Sequence, residues 1–366
     1  MNVLIIVIAS FLIIVTISDL ALLILWALIK EVPSDPIEKE PMVSILLAVR
    51  NEEANLARCL HHLVNLNYPH NKIEILVGDD SSTDMTLSIA QQWEKEHMQI
   101  TACSITETLS NVKAKANVIA QLAHKSKGEH LFITDADVAV NPSWITSLLS
   151  YNNSAIGAVG GTTLIEGRNL WASWQNLDWL LAQGMLQVAN RMGFGIAISG
   201  TNMVVSAEAY KAIGGFERIP HPITEDFGIL TAVKNTGLGI RNVLRSEAVV
   251  KALPSPSFWM LISQRKRWML GAAKLSWPVL GLLYLRGVFW PLNVFFWFYF
   301  PWVAVIFALL KFTNGNVFNY LIARKVGQNT SWPACLSFEF YTAVLSLCTI
   351  IVHWLPYRVT WKERKY

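Results

Sequence analysis

The chain has 366 residues, enough for one or two domains with a packed core. It is 53% hydrophobic and only 15% charged, against about 25% charged residues in soluble domains. That argues against a wholly water-borne protein and places part of it in lipid. The net charge of +4 is modest, and no basic run interleaved with aromatics points to nucleic acid.

Residues 1–30 carry a single acidic side chain, Asp19, before Lys30. They exceed the roughly 20 helical residues that cross a core of about 30 Å. The segment lacks the basic start and small-residue cleavage site of a signal peptide, so it is expected to be a membrane helix. Asp19 is costly in lipid and is expected to face another helix or to sit at the membrane rim, the rim being the simpler reading. A Pro-bearing linker, 31–42, follows.

From 43 the pattern changes. Val43–Val49 reads as a short apolar strand. Asn51–Leu63 reads as a helix, with Asn51 as cap and Glu52 and Glu53 in its first turn. Further strands are expected at Ile73–Val77, Gln99–Ser104 and His130–Thr134, and helices at Met85–Glu96, Val112–His124 and Phe227–Lys234. Strands alternating with helices predict an α/β domain over 43–256, with a parallel sheet covered on both faces. Ligands of such sheets bind outside the carboxyl ends of the strands. Arg50-Asn51-Glu52, Asp79-Asp80 and Asp135-Ala136-Asp137 all fall at such ends.

Residues 257–286 read as amphipathic membrane-surface helices, in which Gln264, Arg267 and Trp268 share one face. Two further spans are expected at 287–311 and 334–357, before a basic tail at 358–366 that carries Arg358, Lys362, Arg364 and Lys365. With Lys30, that tail predicts that the first and last spans both end at the cytoplasm. Lys311, Arg324 and Lys325 would then lie in the outer loop, against the rule. Cys59, Cys103, Cys335 and Cys348 lack metal-like spacing, and the first two lie in the presumed cytoplasmic part, where disulfides are rare. They are expected to be fillers of the core.

Asp135 and Asp137 lie one residue apart after a strand, so their side chains can point the same way. Two close carboxylates repel unless they are solvated or bridged by a cation. By itself the pair is more simply the pattern of a solvated turn. The ordered set is more informative: Ser44-Ile-Leu-Leu-Ala-Val-Arg-Asn-Glu-Glu53, Val77-Gly-Asp-Asp-Ser-Ser-Thr-Asp84, Thr134-Asp-Ala-Asp137, Thr224-Glu-Asp226 and Gln264-Arg-Lys-Arg-Trp268. This set resembles the membrane-bound family 2 glycosyltransferases, whose relatives include cellulose, chitin, hyaluronan and poly-N-acetylglucosamine synthases and ceramide glucosyltransferases. Ala48 stands where relatives usually have proline.

The resemblance implies a GT-A fold with transmembrane helices at both ends, in a bacterial inner or plasma membrane with the catalytic domain cytoplasmic. It implies an inverting transfer from a nucleoside-diphosphate sugar, commonly a uridine one, to a lipid or glycan hydroxyl, with Mg2+ or Mn2+. Asp137 would hold the cation, and Asp135 would lie by the ribose or the metal. Asn51, Glu52, Asp79 and Asp80 would line the nucleotide pocket. Lys115 would lie near the donor, although Lys113 could fill that role. Asp226 would be the general base, and Glu225, Gln264, Arg267 and Trp268 would serve the acceptor and diphosphate. Gly200-Thr201-Asn202 resembles an acceptor-side loop. A membrane scaffold with an inactive transferase domain and a polyprenyl-phosphate transferase are the competing readings. Partner subunits for export remain open.

Overall fold

The computed structural model describes residues 3–30, 34–37, 39–109, 112–193, 199–219, 225–272, 277–355, 360–361 and 364–365. Helix α1 (Val3–Leu28) precedes β1 (Val43–Val49), α2 (Leu56–Val64), β2 (Ile73–Asp79), α3 (Thr86–Glu96), β3 (Ile100–Ser104) and α4 (Ala114–Lys125). Then come β4 (His130–Thr134), β5 (Val138–Val140), α5 (Trp144–Leu149), β6 (Ile156–Gly160), β7 (Thr162–Ile165) and α6 (Leu170–Arg191). After β8 (Asn202–Ser206), α7 (Ala207–Ala212), α8 (Glu225–Asn235), β9 (Gly239–Asn242) and β10 (Val249–Ala252), four helices follow, before a short antiparallel pairing of residues 360–361 with 364–365. These are α9 (Phe258–Ala272), α10 (Trp277–Trp297), α11 (Pro301–Lys325) and α12 (Trp332–Trp354).

Two compact units emerge: Glu31–Glu166 with Ala189–Leu253, and Met1–Lys30 with Gly167–Val188 and Pro254–Tyr366. The expected continuous domain 43–256 therefore lends most of α6 to the helical unit.

In the α/β unit a seven-stranded sheet runs β3-β2-β1-β4-β8-β6-β9. Strands β3, β2, β1 and β4 are parallel, and they are apolar because both faces are covered. Gly78 on β2 lets α4 approach closely: a Cβ there would lie 2.4 Å from the Val118 side chain. The sheet is not wholly parallel, however. β8 runs antiparallel to β4 and β6, since it returns after the long α6 excursion and needs no crossover to pair. A small second sheet, β5-β10-β7, was not foreseen. The chain leaves β1 and β4 in opposite lateral directions, so their shared carboxyl end is the switch point where ligands bind in open α/β sheets.

The expected helix 51–63 starts late, at Leu56. Asn51 adopts a left-handed backbone (φ 50) and does not cap it. The reason is a clasp with the loop after β2. Ser82 Oγ accepts from the Asn51 amide (3.0 Å), Thr86 Oγ1 from the Glu52 amide (2.7 Å), and Asn51 Oδ1 from the Thr83 amide (2.9 Å).

In the helical unit, α1, α10, α11 and α12 are each long and apolar enough to cross a membrane. The expected single span 287–311 is two helices, because α10 ends at Trp297 and α11 opens at Pro301. Proline there gives up an amide that has no helical partner in any case. The expected surface segment 257–286 likewise divides: α9 takes its first part, and its last residues belong to α10. Asp19 is not at a rim. It is buried on the face of α1 that packs Ile8, Leu12 and Val15 against Phe289, Phe296 and Ala304. There it pairs with Arg286 and, at 2.9 Å, with Lys311. Lys311 is thus a helix residue and not part of an outer loop. Glu339 accepts from Trp290 Nε1 (3.0 Å) in the same unit. Cys59 and Cys103 are buried, and all four cysteines are free.

Candidate active site

β1 and β2 end in register, Val49 beside Asp79. Asp79 is 1% exposed. One carboxylate oxygen, Oδ2, accepts from the Ser82 amide at 3.0 Å, while Oδ1 is buried without a hydrogen-bond partner. A buried orphan acceptor is costly, and a ligand N–H or hydroxyl would satisfy it. Next to it the half-buried Asp80 donates its amide to Val49 O (2.9 Å) and accepts at its carbonyl from Arg50 Nη1 (2.6 Å). Glu52 accepts from Asn55 Nδ2 (2.8 Å). Among the described residues, left-handed non-glycine backbones occur at Asn51, Ser81 and Ala114. Asn51 and Ser81 border this strand end, and Ala114 opens the helix that carries Lys115. Such conformations cost of order 1–3 kcal/mol and persist only where the surroundings hold them; the clasp between the loops does so here.

At the end of β4, Asp135 and Asp137 are half-buried either side of buried Ala136. Lys115 Nζ lies 2.5 Å from Asp135 Oδ1. Of the two candidate lysines, Lys115 is the one at the carboxylates; Lys113 is exposed. Two consecutive residues of α2 grip the backbone of the pair from below. Arg58 Nη1 donates to the carbonyl of Asp137 at 3.3 Å, and Cys59 Sγ lies 3.5 Å from that of Asp135. Arg58 is held in turn by an ion pair with Glu166 at the end of β7. Burial, then the charges of Asp137 and Asp135, push the Cys59 thiol far above its ordinary range, so it stays neutral.

Gly200 connects this acidic end to Asp226. Its amide donates to Asp226 Oδ2 (3.1 Å), and its carbonyl accepts from Lys115 Nζ (3.5 Å). The other Asp226 oxygen accepts from the Phe227 amide (2.8 Å) at the start of α8. Asp226, Lys115 and Asp135 therefore form one continuous polar chain. Asn202, by contrast, is fully buried. It accepts from Trp144 Nε1 (2.8 Å) and donates to the carbonyls of Thr162 (3.0 Å) and Ala248 (2.9 Å). It is a strut between the two sheets and is closed to an acceptor.

On α9, Arg265 lies over the Trp268 ring at 4.1 Å and pairs with Asp178 at 2.5 Å. Trp179 meets Trp268 edge-on, with ring centroids 5.1 Å apart. Gln264 and Arg267 flank this group on the same helix and are half-buried. Glu225 opens α8, but its side chain lies outside the described residues, as do Ile223 and Thr224.

The family model for glycosyltransferase like family 2 matches residues 41–271, more than half of the chain. The chain belongs to glycosyltransferase family 2. The transferase is 28% identical over 237 residues to a probable glycosyltransferase, YdaM, of Bacillus subtilis, covering 63% of this chain and 55% of that one. It is 27% identical over 192 residues to a beta-monoglucosyldiacylglycerol synthase of Nostoc, covering 52% of this chain and 40% of that one. It thus spans about half the length of these curated relatives. In three dimensions it resembles the mannosyltransferase PcManGT of Pyrobaculum calidifontis, solved with GDP-Man and Mn2+. The TM-score is 0.60 at 18% identity, and the match covers 94% of this chain and 98% of that one. That likeness establishes the GT-A fold.

In this glycosyltransferase the strand ends gather Asn51, Glu52, Asp79, Asp80, Lys115, Asp135, Asp137 and Asp226 in the α/β unit, while Gln264, Arg267 and Trp268 belong to the helical unit. The donor set suits a hard divalent cation. Two carboxylates completed by phosphate and water oxygens are the way Mg2+ is ordinarily held. No cluster of three or more His, Cys, Asp or Glu side chains occurs among the described residues, so a cation here would need oxygens from the substrate. Arg58 and Cys59 were not expected at the site, and Gly200 was expected only as part of an acceptor-side loop, not as the link between Lys115 and Asp226. Each acts through a backbone group, and no residue pattern announces that.

Proposed function

We propose that the enzyme transfers a sugar, with inversion, from a nucleoside-diphosphate sugar to a hydroxyl of a lipid or a short lipid-linked glycan, with a divalent cation. The observation that carries the reading is the Gly200 junction. It sets a carboxylate, Asp226, one residue's width from the lysine that pairs with Asp135.

The chemistry needs charge neutralised on a departing diphosphate and a proton removed from an attacking hydroxyl. Asp79, with its orphaned Oδ1, receives a donor group of the nucleoside, and Asp80 and Glu52 border the same pocket. Asn51 contributes by locking the loops. Asp137 and Asp135 would hold the cation, which would supply positive charge against the diphosphate. Lys115 keeps Asp135 in place and adds positive charge. Two backbone amides hold Asp226, and it takes the acceptor's proton. Displacement with one base and no enzyme nucleophile inverts the anomeric centre. By family resemblance, Glu225, Gln264, Arg267 and Trp268 serve the diphosphate and the acceptor.

Two relatives support a membrane-borne or glycan acceptor by their names, the Nostoc beta-monoglucosyldiacylglycerol synthase and a poly-beta-1,6-N-acetyl-D-glucosamine synthase of Staphylococcus epidermidis. The four apolar helices fit an integral membrane enzyme whose transferase domain is cytoplasmic. The deciding variant is Asp226→Asn. It should bind nucleoside diphosphate as the parent does and lose at least about 100-fold in turnover, the scale of general-base catalysis. Turnover at the parent rate would remove Asp226 as the base.

A further inference from the structure

Contacts within the helical unit fix the direction of its apolar helices. α1 and α11 run parallel: Asp19 meets Lys311 (2.9 Å), and seven residues on in each helix Trp26 meets Phe318 (5.5 Å). α10 runs antiparallel to both. Arg286 shares Asp19 with Lys311, and Asn293, seven residues on, donates to the carbonyl of Ala304, seven residues back from Lys311 (3.2 Å). Hence α1 ends, α10 begins and α11 ends on one face of the membrane, the near face. Asp19 lies nine residues before Leu28, so its layer is about 13 Å in from that end of α1.

α12 has the length and apolarity of a fourth span, yet its contacts do not carry it across. It starts at Trp332, seven residues after α11 ends at Lys325, and so starts near that face. It ends there too. Lys266 of α9 donates to the carbonyl of Leu355 at 3.0 Å. The His353 ring lies 6.5 Å from that of Tyr284, and Tyr284 precedes Arg286 on α10. Between its ends α12 touches α6 and α10, and its deepest contact on α10 is that of Glu339 with Trp290 Nε1 (3.0 Å), four residues beyond Arg286. Ser337 accepts from Trp174 Nε1 on α6 (2.9 Å), and Tyr341 stacks on Trp174 (5.4 Å). A Cβ on Gly287 would meet Ile350 at 2.8 Å. A helix crossing a core of about 30 Å would finish beside the far end of α10, near Phe296, and not beside Tyr284.

We propose that α12 does not cross but lies within the near leaflet. Its outward stripe of Trp332, Leu336, Phe340, Leu347, Ile351 and Trp354, all exposed, contacts the acyl chains of that leaflet. The opposite face packs Phe338, Tyr341 and Leu345 against the protein. The chain then crosses three times, through α1, α10 and α11. Lys30, Arg324, Lys325 and the four basic residues of 358–365 emerge on one face, as the positive-inside rule requires. Four crossings would put that basic tail on the opposite face.

The test uses the full chain in membranes and does not depend on transferase activity. Cys335 and Cys348 are replaced by alanine; Cys59 and Cys103 are buried. Single cysteines Tyr299→Cys, Gln328→Cys and Thr360→Cys are exposed to an impermeant maleimide in right-side-out and inside-out vesicles. Gln328→Cys and Thr360→Cys should label from one face and Tyr299→Cys from the other. Labelling of Thr360→Cys with Tyr299→Cys would overturn the proposal. In parallel, spin labels at Trp332→Cys, Phe340→Cys, Leu347→Cys and Trp354→Cys are ranked by collision with oxygen and with a water-soluble nickel chelate. All four should report the same leaflet. Depths that pass through the bilayer centre, with Trp332→Cys and Trp354→Cys in opposite leaflets, would refute it.

Discussion

Gly200→Ala tests whether the backbone of one glycine positions Asp226, the proposed base. Gly200 is not among the residues with positive φ, so alanine fits the backbone. Its Cβ would lie 3.1 Å from Asp226 Cβ, 3.2 Å from Oδ2 and 3.3 Å from Cγ. Ordinary contacts begin near 3.4 Å, so the carboxylate must retreat by a few tenths of an ångström while its hydrogen bond to the Gly200 amide is distorted. Misplacing a reacting group by about 1 Å can cost about 100-fold; a retreat of about 0.3 Å then corresponds to roughly 4-fold, or about 0.8 kcal/mol of barrier. In steady-state assays of nucleoside diphosphate release at saturating donor and acceptor, kcat should fall by that factor. Nucleoside diphosphate affinity, measured by calorimetry, should change less than about twofold. An unchanged kcat, or an affinity that falls in proportion, would refute the role of Gly200. Gly161→Ala is the contrasting case. Its Cβ would meet Ala248 O at 2.4 Å and Asn202 Nδ2 at 2.6 Å, so the loss should appear in the melting temperature.

Arg58→Ala removes a positive charge near Asp137, which alone would tighten cation binding. If Arg58 instead fixes the Asp137 backbone, Mn2+ with nucleoside diphosphate should bind several-fold more weakly by electron paramagnetic resonance, with Arg58→Lys intermediate. Tighter binding would contradict the positioning role. Asp19→Leu leaves Arg286 and Lys311 without their shared carboxylate, and removing one partner of a buried pair costs about 3–5 kcal/mol. Thermal unfolding in detergent should show a large loss, and a melting temperature equal to the parent's would argue against a structural pair. Burial holds the His130 imidazole below its ordinary value, near 6.5 in peptides. The unfolded chain therefore takes up that proton first as pH falls. Stability should decline as pH drops through about 6.5 and level off below the folded-state value, with a slope of at most about 1.4 kcal/mol per pH unit. His130→Asn should flatten that decline, and an identical pH profile would exclude His130 as its source.

The buried parallel strands were legible because strands covered on both faces are apolar runs: Val43–Val49 and His130–Thr134 stand as expected from the residues alone. The small sheet of β5, β7 and β10 was not. Strands of three or four residues, such as Val138–Val140 and Thr162–Ile165, are too short to show a period. α6 escaped for another reason. Its buried face carries Gln175, Gln183 and Gln187, so no apolar stripe marks it. The break between α10 and α11 lies within an unbroken aromatic run and is signalled only by Pro301. At the site, Asp79, Asp135, Asp137 and Asp226 could be picked out because motif order exposes side-chain chemistry. The clasp formed by Asn51 and the grip of Arg58 and Cys59 on two carbonyls depend on backbone geometry, which residue identity does not encode. That geometry also puts Lys115, and not the exposed Lys113, beside Asp135.

The purified enzyme, given a panel of nucleoside-diphosphate sugars and membrane lipid extract with and without Mg2+ or Mn2+, should release nucleoside diphosphate with at least one donor. Release should depend on the cation, and a glycosylated lipid or short glycan should appear by mass spectrometry. No cation-dependent release with any donor would contradict the account.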